Sequence, residues 1–282
     1  MKWLRTFGWR HLVAIAVTIF ALTPIVFVVS SAFNPLGTLS STSLLPSHGV
    51  SASNFAQLFS DTPFASWYGN TLMIAVLTVV SSVLLSAAAA FAFSRFRFAG
   101  RRVGLLSLLL IQMFPQFLAI VAIYLMFSTV GDYWPQFGFN TPSGLILVYL
   151  GGALGVNTWL MKGFFDTVPI ELDESAIMDG ATHAQVFFRI ILPLVTPILA
   201  ISGLLAFIGI VNEYIFASVF LTDPDSKTLA VGLAGMVASN SREANFGMFC
   251  AGTLLTAIPT VAVFGFLQRY IVGGLTAGAV KG

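Results

Sequence analysis

Six long apolar stretches constrain the fold of this chain more than any other feature. A helix that crosses a bilayer needs about 20 mostly apolar residues. The stretches that reach this length cover residues 12–33, 71–93, 103–127, 143–165, 194–221 and 246–272. Only 9% of the residues are charged, whereas a soluble domain carries roughly 25%. The sequence therefore predicts an all-α polytopic membrane protein with six transmembrane helices, in a single domain over residues 1–282.

Two features refine these predicted spans. The first apolar stretch follows Lys2, Arg5 and Arg10, but it is too long for the hydrophobic region of a signal peptide, so we expect a retained membrane segment. Pro115 and Pro259 lie midway in the third and sixth stretches. A proline inside a helix removes one backbone hydrogen bond, so we expect kinks at both positions.

The distribution of Lys and Arg predicts the orientation, because these residues are enriched in cytoplasmic segments. With a cytoplasmic N-terminus, 11 of the 13 cations fall on the cytoplasmic side, and only Lys227 and Arg242 fall in outer loops. Both termini are therefore predicted to be cytoplasmic, in the cell (inner or plasma) membrane. The first outer loop includes residues 54–59, for which we expect a short interfacial helix.

The cytoplasmic segment between the fourth and fifth predicted helices, about residues 166–193, is long and rich in acidic residues. Thr167 and Pro169 suit the start of a helix, and Gly180 suits its C-terminal turn. Thr182 and Gln185 have the spacing of a capping box, which predicts a second helix ending before Pro193. Glu171, Glu174, Ser175 and Met178 would share one face of the first helix. Two interpretations remain open: a solvated connector, or a helix–turn–helix that docks a soluble partner.

The same segment contains a motif that resembles a known family. Glu174-Ser175-Ala176, three further residues, Gly180, nine further residues and Ile190-Ile191-Leu192-Pro193 are similar to the E-A-A, G, I-x-L-P coupling motif of ABC-importer permeases. Every spacing matches, and the one departure is Ser175 where alanine is usual. Residues 112–115, 92–98 and 274–282 further resemble the maltose/maltodextrin branch, in particular its smaller, six-helix subunit.

The resemblance implies partners and roles for several segments. The coupling residues are expected to dock on an ATPase subunit: Glu174, Ser175, Ala176, Gly180, Ile190, Leu192 and Pro193. The cytoplasmic tail, about residues 273–282, is expected to contact the ATPases through Ala279, Val280, Lys281 and Gly282. A loop with Ser239, Asn240, Ser241 and Asn245 is expected to contact an extracytoplasmic sugar-binding protein. The implied complex contains a second, homologous permease, two ATPase subunits and the binding protein in a lipid membrane, without nucleic acid.

Polar groups within the apolar stretches are candidates for a translocation path. They are Gln112, Gln116, Tyr124, Asn157 and Glu213. Such groups also commonly form hydrogen bonds between helices, and the larger partner subunit of the resembled family carries most substrate contacts. An acid within the membrane costs about 2.5–3.5 kcal/mol on insertion scales. Glu213 is therefore predicted either to line the path or to bond a polar group on another helix or subunit.

The sequence contains no phosphate-binding G-x-x-x-x-G-K-[ST] motif, so the chain is predicted not to hydrolyse ATP alone and not to be an enzyme. The resemblance implies separate ATPase subunits that bind ATP and Mg²⁺. It predicts no cofactor and no metal site, since the spacing of His11, His48 and His183 fits none. The resemblance favours import of maltose, maltodextrin or a related oligosaccharide such as trehalose. The alternatives are an ABC permease for a non-sugar solute and an ion-coupled secondary transporter, which would need ionisable residues in several spans.

Overall fold

The computed structural model describes residues 2–45, 48–238 and 242–279, with side chains except at residues 2–7, 116 and 272–279. Every regular element in these ranges is a helix, which confirms the all-α prediction. The helices are α1 Lys2–Ala32, α2 Ser53–Asp61, α3 Phe64–Arg95, α4 Arg101–Met113, α5 Ile120–Tyr133, α6 Pro142–Gly151, α7 Val156–Phe165, α8 Glu171–Met178, α9 His183–Leu194, α10 Thr196–Val211, α11 Ile215–Phe220, α12 Leu229–Ala238 and α13 Arg242–Ala279.

Three described segments are long and apolar enough to cross a membrane unbroken: Gly8–Ala32, Phe64–Arg95 and Arg242–Ile271. Three further candidates are bent pairs of helices, with angles of 82° between α4 and the segment Phe117–Tyr133, 61° between α6 and α7, and 79° between α9 and α10. Between three and six spans are therefore possible by length and composition. The count of six stays a prediction.

The bend at Pro115 is sharper than the predicted kink. A proline disfavours helical backbone in the residue before it, and Phe114 is extended, with φ −75° and ψ 127°. A short 3₁₀ turn, Gln116–Ala119, then leads into α5. At Pro259, in contrast, α13 continues without a break.

The prediction of one continuous fifth span over residues 194–221 is wrong. Its helix α10 ends at Val211, and a separate short helix, α11, follows at Ile215. The segment between the fifth and sixth predicted spans, residues 222–245, is also partly helical, because α12 occupies Leu229–Ala238 and α13 begins at Arg242. The short helix expected over residues 54–59 is present as α2.

The chain divides into two compact units, Met1–Tyr68 with Val231–Pro259 and Gly69–Ala230 with Thr260–Gly282. In the first unit, the buried amide of Asn54 in α2 closes the end of α1. Its Nδ2 donates to Ala32 O at 2.9 Å and to Asn34 O at 2.8 Å. The first bond satisfies a carbonyl that the last turn of a helix leaves without a partner, and the second holds the chain just after α1.

The second unit contains the break between α6 and α7. Gln112 in α4 donates its Nε2 hydrogen to Gly152 O at 3.3 Å. A Cβ on Gly155 would overlap the Gln112 side chain, so glycine at this position allows α4 to approach the break closely.

Candidate coupling site

Helix α8 presents an exposed outer face. Glu171, Glu174, Ser175 and Met178 are all exposed, Met178 to 87%. These residues have the i, i+3, i+4 and i+7 spacing of one helix face. Ser175, the departure from the motif, lies on this open face, so its hydroxyl requires no buried partner.

A tight turn at Gly180 ends α8. Gly180 has a positive φ of 86°. Its N–H donates to Ile177 O, and the Ala181 N–H donates to Ala176 O, both at 2.9 Å. These two bonds define a Schellman motif, in which glycine is favoured because it adopts left-handed backbone without strain. Three residues of the sequence motif, Glu174, Ala176 and Gly180, thus belong to one helix and its terminal turn.

The capping box predicted at Thr182 is confirmed. Thr182 Oγ1 accepts from the Gln185 N–H at 3.3 Å, and Gln185 Oε1 accepts from the Thr182 N–H at 2.7 Å. The helix does not end before Pro193, as the sequence predicted. It continues to Leu194 through a π-helical stretch, Val186–Ile191, and the bend follows at Val195.

The start of α8 also differs from the prediction. The helix begins at Glu171, after Ile170, and no side chain caps it. Thr167 instead donates its hydroxyl to Phe164 O at 2.7 Å. Thr167 therefore closes the end of α7 and does not open α8.

The inner side of the α8–α9 segment packs on an apolar core. Phe91 of α3, Phe165 of α7 and Val186, Phe187 and Ile191 of α9 form its centre. Ala176, Ile190 and Leu192 of the sequence motif pack against this core, whereas Pro193 is exposed. The motif thus combines exposed residues, packing residues and one turn residue.

A buried ion pair joins α8 to the end of α3. Arg95 Nε lies 2.6 Å from Asp173 Oδ2, and the two side chains are only 8% and 9% exposed. Arg95 also donates from Nη2 to Val168 O at 2.9 Å. Sequence reasoning missed this pair, although Asp173 falls off the exposed face of α8 and Arg95 ends a long apolar helix.

A second polar contact lies at the beginning of the same segment. Asp166 Oδ1 accepts from Ser94 Oγ at 2.7 Å, and Asp166 Oδ2 lies 2.5 Å from Lys162 Nζ. Partial burial favours a higher pKa of the Asp166 carboxyl, but the hydrogen bonds from Lys162 and Ser94 and the charges of Lys162 and Arg101 hold it below its usual value. Ser94 and Arg95 therefore fix both ends of the stretch that leads into α8.

The predicted path residues do not form one cluster. Gln112 donates a hydrogen bond to Gly152 O at the break between α6 and α7. The Tyr124 ring packs on Phe139 at a centroid distance of 4.6 Å. Asn157 is half-buried in α7, and the Gln116 side chain lies outside the described atoms.

Glu213 has local partners. Its Oε2 accepts from Tyr149 Oη at 2.6 Å and from the Ala217 N–H at 3.0 Å, and its Oε1 accepts from the Phe216 N–H at 2.8 Å. The carboxylate therefore caps the start of α11 and ties it to α6. Of the two predicted roles, this geometry matches a polar bond to another helix.

The other predicted contact residues lie largely outside the described structure. Ser239, Asn240 and Ser241 are outside it, as are Val280, Lys281 and Gly282. Asn245 is half-buried in the first turn of α13, and Ala279 ends that helix. Among the described residues, no group of three or more His, Cys, Asp or Glu side chains has the arrangement of a metal site.

Long apolar helices, with an exposed loop helix fixed to their ends, define the fold of an integral membrane protein. The chain belongs to the family described as "binding-protein-dependent transport system inner membrane component", which matches residues 82–276. It is thus an inner-membrane component of a transport system.

Relatives with assigned functions are transport permeases. The chain is 40% identical to the maltodextrin transport system permease protein MdxG of Bacillus subtilis, over 94% of this chain and 92% of the relative. It is 38% identical to the galactooligosaccharides transport system permease protein GanQ of the same organism, over 97% and 95%. It is 40% identical to the maltose/maltodextrin transport system permease protein MalG of Vibrio vulnificus, over 92% and 90%.

Solved structures share the fold. A bacterial ABC transporter involved in the import of the acidic polysaccharide alginate matches with a TM-score of 0.78 and 25% identity, over 96% of this chain and 98% of the other. A bacterial alginate ABC transporter in complex with an alginate pentasaccharide-bound periplasmic protein matches with a TM-score of 0.66 and 15% identity, over 95% of each chain.

Proposed function

We propose that this chain is the smaller permease subunit of an ATP-driven importer of maltose, maltodextrin or a related oligosaccharide. The observation that carries the proposal is the exposed helix α8, which ends in the Gly180 turn and is fixed to α3 by the Arg95–Asp173 pair. An exposed helix face with a rigid attachment to a long apolar helix can pass the movement of a docked partner into the membrane. The names of the relatives support the sugar class.

The proposed assembly has six spans, both termini in the cytoplasm and α8 on the cytoplasmic side. A second, homologous permease completes the sugar path, and an extracytoplasmic binding protein delivers the sugar. Two ATPase subunits, which hold ATP and Mg²⁺, dock on α8, and the tail with Ala279, Val280, Lys281 and Gly282 reaches them. Ser239, Asn240, Ser241 and Asn245 contact the binding protein. The whole chain acts as one membrane domain without a cofactor of its own.

Coupling in this proposal is a two-state equilibrium. A ligand shifts such an equilibrium only by its different affinity for the two states. ATP closes the ATPase pair and moves α8, and the Arg95–Asp173 pair carries that movement to α3. Loaded binding protein favours the same state from the opposite side of the membrane.

The test is ATP hydrolysis by the co-expressed complex in lipid, with binding protein loaded with maltose, a longer maltodextrin, trehalose or a galactooligosaccharide. The wild type and Gly180→Pro are compared, because proline cannot adopt the positive φ of this turn. We expect hydrolysis stimulated by an α-linked glucose oligosaccharide and unresponsive in the variant. Stimulation by the galactooligosaccharide alone would identify that sugar as the substrate in place of maltodextrin. No response to any sugar would favour a permease for a non-sugar solute. Uptake driven by an ion gradient without an ATPase would contradict the proposal.

A further inference from the structure

An open cavity of about 630 Å³ lies between the end of α3, the start of α4 and α7. Three cationic residues line it: Arg101, Arg102 and Lys162. The rest of its lining is mostly apolar, including Phe98, Val103 and Leu106. The function proposed above makes no use of this cavity.

The charge of the cavity favours an anion. Lys162 is paired with Asp166, and the charge of Arg101 also acts on that carboxylate. Three cations thus face a single acid, which leaves a surplus of positive charge. Among the described residues, no ion pair engages Arg102. Guanidinium groups bind phosphate oxygens with well-defined geometry.

An exposed apolar stripe begins at the cavity and continues along α4. Val103, Leu106 and Leu110 are 68%, 46% and 65% exposed, and their i, i+3 and i+7 spacing places them on one side of the helix. Basic residues lie at one end of this stripe, since Arg101 and Arg102 open the helix. A molecule with an anionic head and a long hydrocarbon chain matches both parts.

We propose that this cavity binds an anionic phospholipid, with the phosphate at Arg101 and Arg102 and an acyl chain along Val103, Leu106 and Leu110. Basic pockets between helix ends bind anionic lipid headgroups in membrane proteins. A soluble phosphate compound would leave the apolar stripe unused. The proposed orientation puts the lipid in the cytoplasmic leaflet, next to the polar contacts that hold α8.

The test is lipid binding by the purified complex, measured by native mass spectrometry with phosphatidylglycerol and phosphatidylcholine of identical acyl chains. We expect the wild type to prefer phosphatidylglycerol. In the Arg101→Gln/Arg102→Gln variant this preference should fall about 25-fold, since each cation near an anionic surface contributes roughly a factor of five. Arg97→Gln is the matched control, because Arg97 is an exposed cation of the same segment that does not line the cavity. Arg101→Lys/Arg102→Lys, which keeps the charge, should retain most of the preference.

A second measurement does not depend on the folding of the arginine variants. Trp159 lines the cavity, so phosphatidylglycerol with brominated acyl chains should quench its fluorescence more than brominated phosphatidylcholine. The difference between wild type and Trp159→Phe isolates this signal. Equal binding of the two lipids, an unchanged preference in the double Gln variant, or displacement of the lipid by equimolar glycerol 3-phosphate would overturn the proposal. Sugar-stimulated ATP hydrolysis is measured in the same preparations, and its persistence would leave the transport function standing.

Discussion

Arg95 and Asp173 form a buried ion pair, 2.6 Å from Nε to Oδ2, that binds the last residue of α3 to the first turn of α8. The pair lies behind the exposed face that carries Glu174 and Ser175. The pair thus attaches a helix of eight residues directly to a 32-residue helix. In the function proposed above, a force on α8 would pass through this contact to α3.

Removing one member of the pair should destabilise the protein. Arg95→Met or Asp173→Leu leaves a buried charge without its partner, which costs about 3–5 kcal/mol. The double variant Arg95→Met/Asp173→Leu should recover most of this loss, since an apolar pair needs no ionic partner. Thermal unfolding of the complex in detergent measures both effects, and Arg97→Met at an exposed position is the control. Additive losses in the double variant would show that the two residues are not energetically coupled.

Gly180→Ala should weaken the α8 turn through its backbone and not through a clash. An added Cβ would meet no atom within 4 Å, but the φ of 86° is strained for any residue with a side chain. The substitution should lower the free energy of unfolding by about 1–2 kcal/mol. Gly180→Asn should lower it less, because asparagine tolerates this conformation. Sugar-stimulated ATP hydrolysis is measured for both variants.

Gly163→Ala is the matched control for the turn. Gly163 lies within α7, an added Cβ would also have open space, and its φ is not positive. This substitution should stabilise α7 by about 0.5–1 kcal/mol. Equal loss of coupling in Gly163→Ala and Gly180→Ala would contradict the special role of the turn.

The Asp166 contacts predict a response to acid. Because the pKa of Asp166 is lower in the folded protein than in the unfolded chain, its ionised form stabilises the loop fully above the unfolded value of about 3.9. This stabilisation is lost as the pH falls further, through the folded-state pKa. Limited proteolysis of the loop at graded pH measures the change. Asp166→Asn should remove the contribution of this carboxyl to the pH dependence of cleavage. If cleavage of that variant depends on pH as in the wild type, the response to acid belongs to other groups.

The sequence predicted several features of the coupling segment that depend on neighbouring residues, although it misplaced the start of α8 and the end of α9. The Gly180 turn and the Thr182–Gln185 capping box follow from local backbone preferences, and both are present. The exposed face of α8 also follows from helical periodicity. These features need no information from the rest of the chain.

Features that depend on distant residues could not be predicted in the same way. Asp173 is one of several acids in its segment, and only the fold brings it to Arg95, 78 positions earlier (173 − 95). Tyr149 and Glu213 are likewise 64 positions apart. Apolar content also cannot separate a straight helix from a bent pair, so the break after α10 was missed.

Glu213 offers a test between a structural role and a role in the sugar path. Its carboxylate accepts three hydrogen bonds, two of them from the first turn of α11. Glu213→Ala removes the cap and should destabilise the protein by about 1–2 kcal/mol. Glu213→Gln keeps one acceptor oxygen, so it should retain most of the stability and transport sugar at close to the wild-type rate. Tyr149→Phe should lower the free energy of unfolding by about 0.5–1.5 kcal/mol, the usual contribution of one hydrogen bond.

Sugar uptake into proteoliposomes and thermal unfolding are measured together on each Glu213 and Tyr149 variant. Asn212→Ala is the control, because Asn212 is exposed beside Glu213 and its side chain donates to Ile208 O of the preceding helix, α10. A structural role requires uptake to follow stability across the series, because the variants then differ only in the fraction of folded protein. A Glu213→Gln protein that is as stable as the wild type but does not transport sugar would instead show that the charge itself acts on the path.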